Sequence, residues 1–216
     1  MKKIFIFLIS VFLILFMMMG FILYKFNIIP HRMYDNSYFG ISAYISDVDM
    51  DNDDVDDQSD ILDNVRKYIA TKPKYKSSYY AGGYPNDEYG VCTDVVVNGL
   101  LGAGYDLREL VNNHIINNKE LYDIEKVDKN IDFRRVRNLY VYFEDTAIRL
   151  TTDVNDIDEW QGGDIVVFKK HIGIVSDKRN RKGIPFLIHH ANPYQVYYEE
   201  DVLGDRDDIV GHYRIS

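Results

Sequence analysis

A single cysteine, Cys92, stands in 216 residues, with one tryptophan and five prolines. One thiol cannot close an intrachain disulfide, and it cannot furnish a Cys-rich structural zinc site. No cysteine follows the apolar run near the N-terminus, which excludes a lipid-modified cysteine there. Positive charge is also short: 25 Lys and Arg against 34 Asp and Glu give a net charge of −9. A nucleic-acid-binding protein needs a basic face that this balance does not supply. What remains is globular: 46% hydrophobic and 27% charged residues, in a length that suits one domain and an appendage.

The appendage comes first. From Ile4 to Tyr24 only Ser10 and Gly20 are not apolar. At about 1.5 Å per residue this run spans roughly 30 Å, the thickness of a bilayer's hydrocarbon core. It is longer than a cleavable signal's apolar stretch and carries no small-residue cleavage site. Lys2, Lys3 and the amino terminus precede it, and Lys25 and Arg32 follow. This balance favours an N-terminus inside the cell. The expectation is an uncleaved anchor with flanks over residues 1–32, inserted in lipid through 4–24, with everything beyond it outside the cytoplasm. Residues 1–32 hold four of the basic residues and no acid, so −13 falls on the remainder.

An acidic linker is expected over residues 33–58. Ser46–Asp60 holds eight aspartates in fifteen residues. Asp49, Asp51, Asp53 and, at the twelfth position, Asp60 have the spacing of a calcium loop. The sixth position is Asp54 where the sharp turn calls for glycine, and Asp60 is shorter than the usual bidentate Glu. A solvated, self-repelling spacer is the reading adopted.

The domain proper is expected over residues 59–216. Ser59 or Asp60 can cap a helix carrying Ile61, Leu62, Val65, Tyr68 and Ile69 at helical spacing. Tyr79–Gly90 has loop composition, and Val91–Leu101 suits a buried helix stopped by Gly102 and Gly104, with Cys92 in its first turn. Asp106 caps another helix, and Arg134–Phe143 is read as a further one. β-rich runs follow at 163–168, 171–176, 185–190, 196–198 and 209–215. Helices first and consecutive strands afterwards predict an α+β fold with an antiparallel sheet.

Cys92 lies behind a Gly-rich loop at a helix start, where backbone N–H groups favour a thiolate. A strand opening on His171 can supply a base, and His189 on the next strand can orient that imidazole. His189 and His190 are neighbours on a strand and face opposite sides, with His189 preferred. Each of these residues also has a plain structural reading: a buried thiol, a satisfied core histidine, and ion pairs for Arg134, Arg135 and Arg137.

Five segments carry a resemblance: GVCTDVV at 90–96, NIDFRRVRNL at 130–139, GDIV at 163–166, HIGIVSD at 171–177 and GHYR at 211–214. From about Asp60 to Ser216 the chain resembles the bacterial family catalogued as domain of unknown function 1287, grouped with the NlpC-type branch of papain-like cysteine peptidases. The resemblance implies a papain-like core in which Cys92 is the nucleophile, His171 the base and His189 the orienter. The Cys92 N–H and the Tyr80 hydroxyl would stabilise the oxyanion, and Asp94 would bind a substrate amine or favour the helix start. Thr93-Asp94 stands where the peptidase branch has Ser.

The expected function is a membrane-anchored, extracytoplasmic thiol hydrolase that cleaves an amide bond in peptidoglycan peptides through an acyl-enzyme. No metal or cofactor is required. The alternatives are a catalytically idle wall-binding module and a thiol acyltransferase on the same fold.

Overall fold

A computed structural model describes residues 2–216. The first helix, α1 (Lys2–Lys25), is long and apolar enough to cross a membrane, and none of its residues is buried against the rest of the chain. After β1 (Tyr34–Asp35) come α2 (Asp57–Ala70), β2 (Lys74–Tyr75), β3 (Tyr89–Gly90), α3 (Cys92–Gly102), α4 (Leu107–Asn117) and α5 (Val136–Thr146). The remaining elements are strands: β4 (Ile148–Arg149), β5 (Ile165–Phe168), β6 (His171–Arg179), β7 (Pro185–Ile188), β8 (Glu199–Glu200) and β9 (Ile209–Arg214). The main sheet runs β4-β9-β5-β6-β7-β8 with antiparallel neighbours, and β1 adds to β6. The expected mixture of helices followed by an antiparallel sheet is present.

β5 is buried on both faces, and its pleat divides it between two cores. Ile165 and Val167 join the helices, among Val65, Val95, Leu100, Leu139 and Phe143. Val166 and Phe168 point the other way, onto Trp160, Val175, Leu187 and Leu203. α3 is apolar on nearly every side because α2 covers one flank and β6 another. Gly99 permits the α2 approach: a Cβ there would lie 3.1 Å from Val65 Cγ2 and 3.3 Å from the Ile61 carbonyl.

The segment expected to be a solvated spacer is instead wrapped onto the domain. β1 pairs with β6, and Asn36 Oδ1 accepts from Nε–H of the fully buried Arg179 at 2.6 Å. Tyr44 donates to the Ser216 carbonyl at 2.9 Å, and Ile41 is buried. Helix α2 also begins earlier than expected. Its cap is Asp56, whose carboxylate accepts from the backbone N–H groups of Ser46 and Ser59. Backbone donors of this kind hold negative charge without a counterion, so the aspartates need not repel the segment into solvent. The late strands are shorter than their sequence runs: β7 ends at Ile188, and the 196–198 run yields to β8 at Glu199–Glu200.

Candidate active site

Cys92 is the first residue of α3, half-buried, where the N–H groups of the opening turn have no helical acceptor. Val91 has no side-chain oxygen to cap the helix, and Asp94 reaches back to accept from the Val91 N–H at 2.9 Å. α3 packs on β6, and the backbone N–H of Ile172, next to His171 at the start of β6, reaches the Cys92 thiol. Burial pushes the Cys92 thiol up to about 11, against the pull of the Ile172 and Thr93 backbone N–H groups. Burial, and then His189, push His171 down to about 3. The resting pair is therefore a neutral thiol and a neutral imidazole. The thiolate expected from the helix start is outweighed by desolvation.

His171 Nε2 and His189 Nδ1 lie 2.9 Å apart, and His189 Nε2 lies 3.0 Å from Glu200 Oε2. With Nε2 engaged by His189, Nδ1 is the His171 nitrogen left for a thiol proton. Gly173 lets the two histidines meet, since a Cβ there would stand 2.8 Å from Leu187 Cδ1 and 2.9 Å from the Ile188 carbonyl. The register Ile174↔Ile188 then delivers His189 beside β6, and Ile188↔Glu199 delivers Glu200 behind it. Gln195 Nε2 donates to the His189 and Tyr197 carbonyls at 3.1 and 2.8 Å, and lies 3.3 Å from Glu200 Oε2. Burial raises Glu200 to about 7.

His190 turns away from this line. Its ring meets the Tyr75 and Tyr198 rings edge-on at 5.1 and 5.0 Å, and its buried Nδ1 has no partner among the described residues.

Two of the expected substrate groups are occupied elsewhere. Asp94 is fully buried, and its two oxygens receive Arg134 Nε–H at 2.6 Å and the terminal guanidinium nitrogen at 2.9 Å. It has no oxygen free for a substrate amine. The Tyr80 hydroxyl donates to Asp87 at 2.9 Å, and its ring lies under Arg134. A different tyrosine, absent from the sequence expectation, has an uncommitted hydroxyl: that of Tyr68 is buried with no partner among the described residues and lies close to where a Cβ on Gly90, two residues before Cys92, would be. The hydroxyl of Thr93, the residue after Cys92, is likewise buried with no partner among the described residues. A cleft of about 280 Å³ lined by Tyr68, Pro73, Asp87, Tyr89 and Asn98 opens next to Tyr68. A further cavity of about 350 Å³, lined by Tyr24, His31, Arg181 and Asp201, contains none of the Cys–His groups.

The arginine segment is structural at Arg134, as ion pairing predicts, and Arg137 pairs with Asp123 at the surface. The GDIV and GHYR segments meet at Asp164, fully buried, which receives Arg214 at 2.7 and 2.8 Å and lies 3.0 Å from His212 Nε2. Trp160 stacks on His212 at 3.7 Å. These segments lock β9 to the 160s loop.

The family model described as Domain of unknown function (DUF1287) matches residues 62–215. The chain is 36% identical over 167 residues to the Uncharacterized protein YijF of Escherichia coli (strain K12), covering 71% of this chain and 80% of that protein. No solved structure matches. A model spanning the Cys92 helix, the histidine strands and the Asp164 network places the chain in the family described as Domain of unknown function (DUF1287).

Proposed function

We propose that the protein is a thiol hydrolase of papain-like, NlpC-type architecture, anchored by α1 with its domain outside the cytoplasm, acting on amide bonds of cell-wall peptides. The observation that supports this most is the line His171–His189–Glu200, which begins next to Ile172, whose backbone N–H reaches the Cys92 thiol at the start of α3. In this reading the thiol proton passes to His171 Nδ1 as Sγ attacks the carbonyl carbon. The oxyanion is met by the Cys92 N–H and the Tyr68 hydroxyl. His171 then returns the proton to the leaving amine, and water releases the acyl group from sulfur. Because the resting pair is neutral, proton transfer accompanies attack, and Glu200 stabilises the positive charge that develops on the histidines.

The buried, protonated thiol also favours a second reading, an idle module that binds wall peptide without cleaving it. One experiment separates the two. The full chain in detergent micelles is incubated with purified peptidoglycan beside its Cys92→Ala variant, and released fragments are weighed by mass spectrometry. Fragments that require Cys92 support the hydrolase, and their masses identify the bond. Binding without fragments in either sample would leave the idle module.

A further inference from the structure

The cavity of about 350 Å³ beside the end of α1 takes no part in the chemistry above. Three segments build it, and Asp201 joins them. Asp201 Oδ2 lies 3.0 Å from His31 Nδ1, and its Oδ1 accepts from Asn180 Nδ2 at 2.8 Å. His31 in turn stacks on the Tyr24 ring at 3.8 Å, and its Nε2 donates to the Tyr24 carbonyl at 2.8 Å. On the far side, Asn180 Oδ1 accepts from the Lys182 and Ile184 N–H groups at 2.8 and 3.2 Å, and the Gly183 N–H closes the turn onto the Asn180 carbonyl at 3.0 Å. The β6–β7 turn is thus a fixed platform, and it carries Arg181 and Lys182 on the cavity wall.

The wall is basic in an acidic protein. Lys25, Arg32, Arg181 and Lys182 line it against Asp201 and Asp205. Lys25 pairs with Asp205, and both Asp201 oxygens are engaged by His31 and Asn180. Arg32, Arg181 and Lys182 have no carboxylate partner among the described residues, and Arg32 lies over the Tyr34 ring at 4.9 Å. Three uncompensated cations lining one cavity repel one another, and an anion among them removes that cost. Guanidinium forks and an ammonium suit the several oxygens of a phosphate.

The position of the cavity names the source of that phosphate. With residues 4–24 in hydrocarbon, Tyr24 and Lys25 stand at the level of the headgroups. The next apolar side chains, Phe26, Ile28 and Ile29, are exposed, as suits an interface. The −13 carried beyond residue 32 repels an anionic surface, so any attraction to one has to be local. We propose that this cavity seats the phosphodiester headgroup of an anionic phospholipid from the leaflet in which α1 ends, held by Arg32, Arg181 and Lys182. The seat rests on the reading of α1 as a membrane anchor and not on the Cys92 chemistry. Because Asp201 joins the anchor's end to the β6–β7 turn, an occupied seat would hold the domain against the bilayer.

For the test, the full chain is reconstituted into vesicles of equal phosphatidylglycerol and phosphatidylcholine, floated through a density gradient, extracted in mild detergent and weighed by native mass spectrometry. The expected result is one phosphatidylglycerol retained per chain, at least about fivefold in excess over phosphatidylcholine. Arg181→Gln combined with Lys182→Gln should lower that adduct at least about fivefold. Both side chains are exposed, so the thermal unfolding midpoint should not move. Lys169→Gln combined with Lys170→Gln removes the same charge from the exposed β5–β6 turn and should leave the adduct unchanged. Equal losses in the two double variants would overturn the proposal, since they would show a diffuse attraction. Displacement of the lipid by millimolar inorganic phosphate would assign the cavity to a soluble anion and overturn the lipid. A chain that fails to float would overturn the anchor and the seat together, whereas one that floats and retains both lipids equally would overturn the seat alone.

Discussion

At the scale of single residues the informative group is Glu200, which in the proposed reaction would act only through the two imidazoles it is linked to. When Glu200 is ionised, His189 donates Nε2–H to it, so His189 Nδ1 accepts from His171 Nε2–H and His171 Nδ1 is a free base. When Glu200 is protonated and donates, the whole line reverses, and His171 carries its proton on Nδ1, the wrong nitrogen for the thiol. Since Glu200 titrates at about 7, kcat/KM for Cys92-dependent cleavage should fall below that pH along a single-proton limb. Glu200→Gln should lower the rate on the order of 10²-fold and abolish the limb, whereas a merely structural Glu200 would leave the profile's shape intact. Tyr68→Phe tests the oxyanion assignment. Its hydroxyl has no partner to lose among the described residues, so the fold should keep its stability while kcat drops about 10²-fold. Cys92, His171 and His189 were legible in the sequence because each sits at the end of a regular element. Glu200 was not, because only the short pairing Ile188↔Glu199 brings it behind His189.

At the scale of elements, the start of α3 is held by an ion pair that the sequence could offer only as one alternative. Asp94 and Arg134 are forty positions apart, and nothing local marks them as partners. Both side chains are essentially inaccessible, 0% and 2% exposed. Removing one charge strands the other in a low-dielectric site, a loss of about 3–5 kcal/mol. Asp94→Asn should therefore shift urea unfolding by that amount, followed by the fluorescence of the single, fully buried Trp160. If unfolding shifted by less than about 1 kcal/mol, the pair would be of the weak, surface kind. Helices and core strands were readable from periodicity because burial follows it. The wrapped segment over 33–58 was not, since its attachment depends on Arg179, more than a hundred residues away, and on backbone N–H groups that satisfy its aspartates.

At the scale of the whole molecule, the cost of a buried histidine line is acid sensitivity. Burial holds His171 and His189 near 3 and His190 near 4, all far below their ordinary 6.5. As pH falls below 6.5 the unfolded chain binds these three protons and the folded chain does not, so stability is lost. Glu200 works in the opposite sense: the folded state keeps its proton up to about 7, the unfolded state only to 4.5. Between pH 5 and 6 the three histidines outweigh the one carboxyl, and unfolding takes up about two protons net. The urea midpoint should therefore fall steadily from pH 6.5 to pH 5. In Glu200→Gln the opposing proton is gone, and the same fall should be steeper, approaching three protons. A midpoint that stayed flat would mean that the histidines together take up only about the one proton that Glu200 offsets, and one that rose toward pH 5 would mean that they titrate as if exposed. In that case the neutral resting pair, and with it the concerted proton transfer at Cys92, would have to be given up.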